Sequence, residues 1–150
     1  MQRRWRAEDY SSVFLRLALA ASFLTAVADR FGFWGRTGEP HVGWGDFTDF
    51  TAYTARLTSI LPGSLAPALA WTATILEILL GVALLIGIVT RVAALLSGAL
   101  LLSFAMAMTF ALGVKAPLDY SVFSASAGAF LLSACERYKL SVDDWKNSQA

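Results

Sequence analysis

Four long apolar windows leave this chain little choice of fold. They run from Val13 to Phe31, Ala66 to Ile88, Val92 to Leu112 and Leu118 to Cys135. A hydrocarbon core about 30 Å thick needs about 20 helical residues to cross it, and inside lipid only a helix satisfies its own backbone polar groups. The windows therefore predict an all-α membrane protein, a four-transmembrane-helix bundle forming one integral membrane domain over residues 1–150. A hydrophobic content of 57%, with 15% charged residues and a mean hydropathy of +0.58, agrees with that class rather than with a soluble globular domain. The fourth window is the most dilute, because Asp119, Ser121, Ser124, Ser126 and Ser133 interrupt it.

Aromatic residues support the same boundaries. Trp5, Tyr10, Trp34, Trp71, Tyr120, Tyr138 and Trp145 all fall outside the windows or near their ends, where amphipathic rings favour the headgroup zone. Lys and Arg set the expected orientation. Arg3, Arg4, Arg6, Arg91, Arg137, Lys139 and Lys146 lie on one side and outnumber Arg30, Arg36, Arg56 and Lys115 on the other. The positive-inside rule then places both termini in the cytoplasm. Arg3, Arg4 and Arg6 before an apolar run that ends in Ala26-Val27-Ala28 also resemble a signal peptide. Arg16 inside that run is unwelcome in a signal core, so an uncleaved first span is expected.

Glu77 is the costliest residue in the chain. A carboxylate at the centre of a span disfavours insertion by about 2.5–3.5 kcal/mol, against about −0.3 to −0.6 for each Leu, Ile or Val. The Leu, Ile and Val residues between Leu69 and Ile88 outweigh it, so the helix still inserts. Retained intramembrane charges mark function by default. Arg16, about one turn inside the first span, either snorkels to the interface or turns its guanidinium inward as a partner for Glu77. Asp29 and Arg30 close that span, either as a plain boundary or as groups facing the bundle; Asp119 and Arg91 complete the candidate polar set.

The only long connection, Gly32 to Leu65, changes character midway. Its first part is rich in Gly and Trp. Phe47, Phe50, Tyr53, Thr54, Leu57, Ile60 and Leu61 then recur at spacings of three and four. A short amphipathic helix is expected there, capped by Asp46 and ended by Pro62-Gly63. It would lie on the membrane surface as an anchor or over the mouth of the bundle as a lid. Small residues spaced by four, Ala83 with Gly87, Ala94 with Gly98 and Ser124 with Gly128, permit close helix approach.

Several chemistries find no support. A single cysteine, Cys135, cannot form an internal disulfide or the dithiol of a thiol relay. One histidine, His41, with no cluster of acidic residues or cysteine around it gives no metal site, and a net charge of +1 gives no case for nucleic acid. No nucleophile, base and oxyanion donor stand in a recognisable arrangement, so the chain by itself suggests no catalysis.

Glu77, Gly81, Gly87, Thr90, Arg91, Ala93 and Ala94 form a pattern across the second and third spans that resembles the DoxX family of small four-helix bacterial membrane proteins. Arg16 with Phe23, and Leu140-Ser141-Val142-Asp143 in the tail, add to the likeness. Ala20 and Arg30 depart from it, standing where that family often has glycine and lysine. The resemblance implies a subunit or accessory protein of a membrane redox system such as a thiosulfate:quinone oxidoreductase. Its ligand would be of quinone type, bound near Glu77, and its partners would be the bilayer and other redox subunits or further copies of the chain. A scaffolding subunit held in register by an Arg16–Glu77 pair is the alternative, with a small transporter behind both, since no inverted repeat is apparent.

Overall fold

The computed structural model describes residues 5–149, so the contributions of Arg3 and Arg4 to the charge asymmetry lie outside the described residues. Among the described residues seven α-helices follow in order: α1 (Ala7–Arg30), α2 (Phe47–Leu57), α3 (Ala66–Ile86), α4 (Thr90–Leu112), α5 (Lys115–Asp119), α6 (Val122–Ser133) and α7 (Val142–Asn147). Among the described residues three segments are long and apolar enough to cross a membrane: Ala7–Arg30, Gly63–Ile86 and Thr90–Leu112. They coincide with the first three apolar windows, apart from an earlier start to α1.

The fourth expected span is not one helix. Lys115 to Ser133 breaks at Tyr120-Ser121, where Ser121 adopts the left-handed φ of 55°. Asp119 is exposed and pairs with Lys115 one turn earlier, so it is not a buried polar group. The 12 residues of α6 rise about 18 Å, short of the hydrocarbon thickness. The interruption sits where polar residues diluted the window.

α1, α3, α4 and α6 nonetheless enclose one apolar centre, each packed on two of the others. It contains Leu19, Ala20 and Phe23 from α1, Leu80 and Leu84 from α3, Ala93 and Ala94 from α4, and Ala129 and Leu132 from α6. The α4–α6 seam is the most extensive. At Gly98 a Cβ would meet the Phe130 ring at 2.7 Å, and Ser126 donates to the Gly98 carbonyl at 2.8 Å. Glycine is required there by proximity, as expected where small residues let helices approach.

α2 forms as its periodicity predicts. The Asp46 carboxylate accepts from the Asp49 N–H at 2.8 Å, satisfying a free donor of the first turn. The helix ends at Leu57, earlier than Pro62-Gly63. It crosses over one end of the bundle against α3, α4 and α1, which is the roof position rather than a detached anchor.

Candidate functional site

Glu77 is 2% exposed and its partner is Arg30, itself 3% exposed. Arg30 Nη2 lies 2.7 Å from Oε2 and donates to Oε1 at 2.9 Å, so one nitrogen is shared between both oxygens and only the Oε1 contact is a well-directed hydrogen bond. Nη1 donates to the Thr74 hydroxyl at 2.8 Å, one turn above Glu77 on α3. That hydroxyl in turn donates to the Ala70 carbonyl. The guanidinium is thus fixed at both ends of its fork.

Aromatic rings close this centre. The Phe50 ring, on α2, stands 3.7 Å from the guanidinium carbon, and the Trp44 ring lies at 5.3 Å. Cation–π contacts of this kind are worth about 2 kcal/mol or more when desolvated. Phe47 packs beside Phe50 and against Trp71 of α3, with centroids 5.9 and 4.3 Å apart. The periodic aromatics of α2 are therefore a lid over an ion pair. Asp29, next to Arg30, turns the other way and accepts from the Gly43 and Trp44 N–H groups at 3.1 and 2.8 Å, which pins the loop carrying Trp44.

An Arg16–Glu77 pair does not form. α1 and α3 run antiparallel, and a Cβ on Gly81 would touch Leu24 and Phe23, which sets their register. Arg30 then lies level with the Thr74 turn. Arg16 lies level with Gly87, about 15 Å from Glu77 along α3 at about 1.5 Å per residue. No arginine side chain spans that gap.

Arg16 instead belongs to a second polar centre at the opposite end. It is 2% exposed, and its Nη2 donates to the Leu140 carbonyl at 2.6 Å, while Nε and Nη1 have no hydrogen-bond partner. Asp143 brings a carboxylate into the same region. One oxygen accepts from the Val89 N–H at 3.0 Å, the other from the Thr90 N–H and hydroxyl at 2.7 Å each, so the tail caps the start of α4. Burial opposes ionisation of Asp143, but these hydrogen bonds from Thr90 and Val89 outweigh it and hold the carboxyl below its ordinary value. The Asp143 N–H returns to the Gly87 carbonyl at 3.0 Å.

The hairpin between α3 and α4 needs this support. Gly87 has φ 70°, and a Cβ there would fall 2.3 Å from the Ser141 Cβ and 2.6 Å from Arg16 Nη1. Val89 holds a φ of 44°, strained for a β-branched residue, with its N–H tied to Asp143. Arg91 is exposed and donates to the Ser133 carbonyl at 3.1 Å, so it caps α6 rather than entering the interior. Nearby, Arg137 reaches the buried Asp9 at 3.2 Å. The Asp9–Arg137 contact is one that sequence reasoning missed; Asp9 showed only as an acid in the first turn of α1, and Arg137 only as part of the charge asymmetry.

Fold and site together define a multi-pass helical membrane protein, its bundle closed at one end by a buried ion pair under an aromatic roof and at the other by its own tail. The model of one family, described as Methylamine utilisation protein MauE, matches residues 8–119, and the chain belongs to that family. No curated protein and no solved structure matches it. The family found is thus MauE and not DoxX, which the Glu77 pattern resembles; a small helical membrane protein is common to both readings. The match includes Arg30, Thr74 and Glu77 and stops before α6 and the tail.

Proposed function

We propose that the chain is an integral membrane accessory protein of a redox system serving methylamine utilisation, in which the Arg30–Glu77 pair holds α1, α3 and the α2 roof in one arrangement. The family description supports the process: methylamine is a reduced one-carbon compound, and its use requires oxidation and disposal of electrons. The observation that carries the role of Glu77 is that Arg30, its buried ion-pair partner, is itself held by Thr74, Phe50 and Trp44, which ties α1, α3 and the α2 roof to one carboxylate. A buried pair is weak evidence for added stability, and fixing one packing among several is its better-attested use. In this reading the chain is one membrane domain in a bacterial inner membrane. α5 and α6 complete a fourth, interrupted passage and both termini are cytoplasmic. Its partners are other redox subunits or further copies of the chain.

A quinone-associated role, closer to the DoxX likeness, is the second reading. It is favoured by an apolar cleft of about 460 Å³ lined by Phe47, Thr51, Ala52, Ala55, Ala66 and Pro67, at the edge of the roof. One experiment separates the two. In a host that grows on methylamine, deletion of the gene should abolish methylamine-dependent oxygen uptake. Under the packing role, the Arg30→Gln, Glu77→Gln double variant should restore uptake more fully than Glu77→Gln alone. A Glu77→Gln protein of normal abundance that gives no uptake, with quinone binding lost in the purified variant, would instead establish the second. If deletion leaves uptake unchanged, the redox assignment fails.

A further inference from the structure

Asp29 is a second acid at the Arg30 end, and the ion pair does not use it. Its side chain is buried, with the residue 6% exposed, and no basic side chain pairs with it among the described residues, because Arg30 is turned to Glu77. Oδ2 accepts from the Gly43 and Trp44 N–H groups, while Oδ1 has no hydrogen-bond partner. A buried carboxylate left this way is costly, and burial without a charge partner is the exception in proteins. It stands in the wall of an open cavity of about 440 Å³ whose other sides include Trp34, Trp44, His41, Ser22 and Thr25.

We propose that this cavity binds an ammonium group, with the Asp29 carboxylate as its counter-charge and the Trp34 and Trp44 indoles walling it. All three residues line the cavity, with Oδ1 itself almost closed to solvent. The carboxylate supplies the charge. Indole faces attract organic cations and suit them better than a small, strongly hydrated metal ion. A metal centre lacks support, since no three His, Cys, Asp or Glu residues gather among the described residues. An anion would meet Asp29 with no cation to offset it. Trp34 is held in place by donation of its indole N–H to the Thr25 carbonyl at 3.3 Å, and Trp44 by Asp29 itself, so both walls are set before a ligand arrives.

The shared ligand chemistry has two sources. The cavity opens beside Ser22 and Thr25 on the exposed face of α1 near the end of a span, where the ammonium of an ethanolamine headgroup would lie; a small soluble alkylamine carries the same group. Trp44 is common to this cavity and to the Arg30 roof, so an occupant would press on both. The proposal does not rest on the function read at Glu77.

The full chain in dodecyl maltoside, a detergent without nitrogen, tests it. n-Butylammonium chloride and short-chain phosphatidylethanolamine are titrated separately, with n-butanol and short-chain phosphatidylglycerol as their matched controls. Saturable binding of either ammonium probe but not of its control is expected, weakened at least tenfold by Asp29→Asn and by Trp34→Leu. Asparagine keeps an acceptor for both loop N–H groups, and Trp34→Leu leaves the acid untouched, so the second variant decides if the first melts early. Tighter binding of the phosphatidylethanolamine assigns the site to lipid; tighter binding of butylammonium assigns it to a soluble amine. Binding of neither probe, or equal binding by wild type and both variants, overturns the proposal.

Discussion

Two arginines on the same helix, both almost wholly buried, are satisfied in opposite ways. Arg30 meets a carboxylate of the neighbouring membrane helix directly, with a hydroxyl and two aromatic rings completing its surroundings. Arg16 meets a main-chain carbonyl of the tail, and the tail's carboxylate is spent on the start of α4. One end is therefore closed by groups belonging to the long helices, the other by a segment that must fold back onto them. An ion pair inside the bundle makes the first closure specific in register; hydrogen bonds to a returning tail make the second more separable.

The largest expected effect is at the first end. Glu77→Ala leaves Arg30 buried without a counter-charge and should destabilise by about 3–5 kcal/mol, read as a drop in melting temperature in detergent. Arg30→Met with Glu77→Leu should recover most of that loss. At the tail end, Gly87→Ala places a methyl against Ser141 and Arg16 in a left-handed conformation, and about 1–3 kcal/mol should be lost in the same assay. Protease access to the tail should rise while the Arg30 end stays intact. Gly98→Ala, which drives a methyl into Phe130 on the α4–α6 seam, should cost about 1–3 kcal/mol without changing either closure.

The smallest effect is a pH dependence confined to the tail. Asp143 has a folded-state value below the unfolded carboxylate value of about 3.9, so its contribution is fully present above that pH and is lost as pH falls through the lowered folded value. Protection of the Val89 and Thr90 amides from hydrogen exchange, relative to their intrinsic rates at each pH, should fall only in that acid range, and Asp143→Asn should remove the dependence. A loss of protection on going to neutral pH would break the contrast between the ends.

Much of this architecture was legible in the residues. Hydropathy located three long helices because insertion rewards apolar side chains one by one, and the Asp46 cap with its aromatic spacing located α2. The fourth segment was over-extended because hydropathy averages across Tyr120-Ser121, where backbone geometry breaks the helix. Glu77 was identifiable as a buried acid from its cost alone. Its partner was not, because Arg30 reads as a span boundary and the register that brings it to Thr74 comes from α1–α3 packing at Gly81. The tail motif was visible as a pattern, but its attachment to Gly87 and Thr90 depends on a chain reversal that leaves no local signal.

A pair of double-mutant cycles in detergent, on Arg30→Gln with Glu77→Gln and on Arg16→Gln with Glu77→Gln, tests the central claim most directly. Coupling of about 2 kcal/mol or more between Arg30 and Glu77, with coupling near zero between Arg16 and Glu77, is the predicted result. Strong coupling of Glu77 to Arg16 and none to Arg30 would contradict the account.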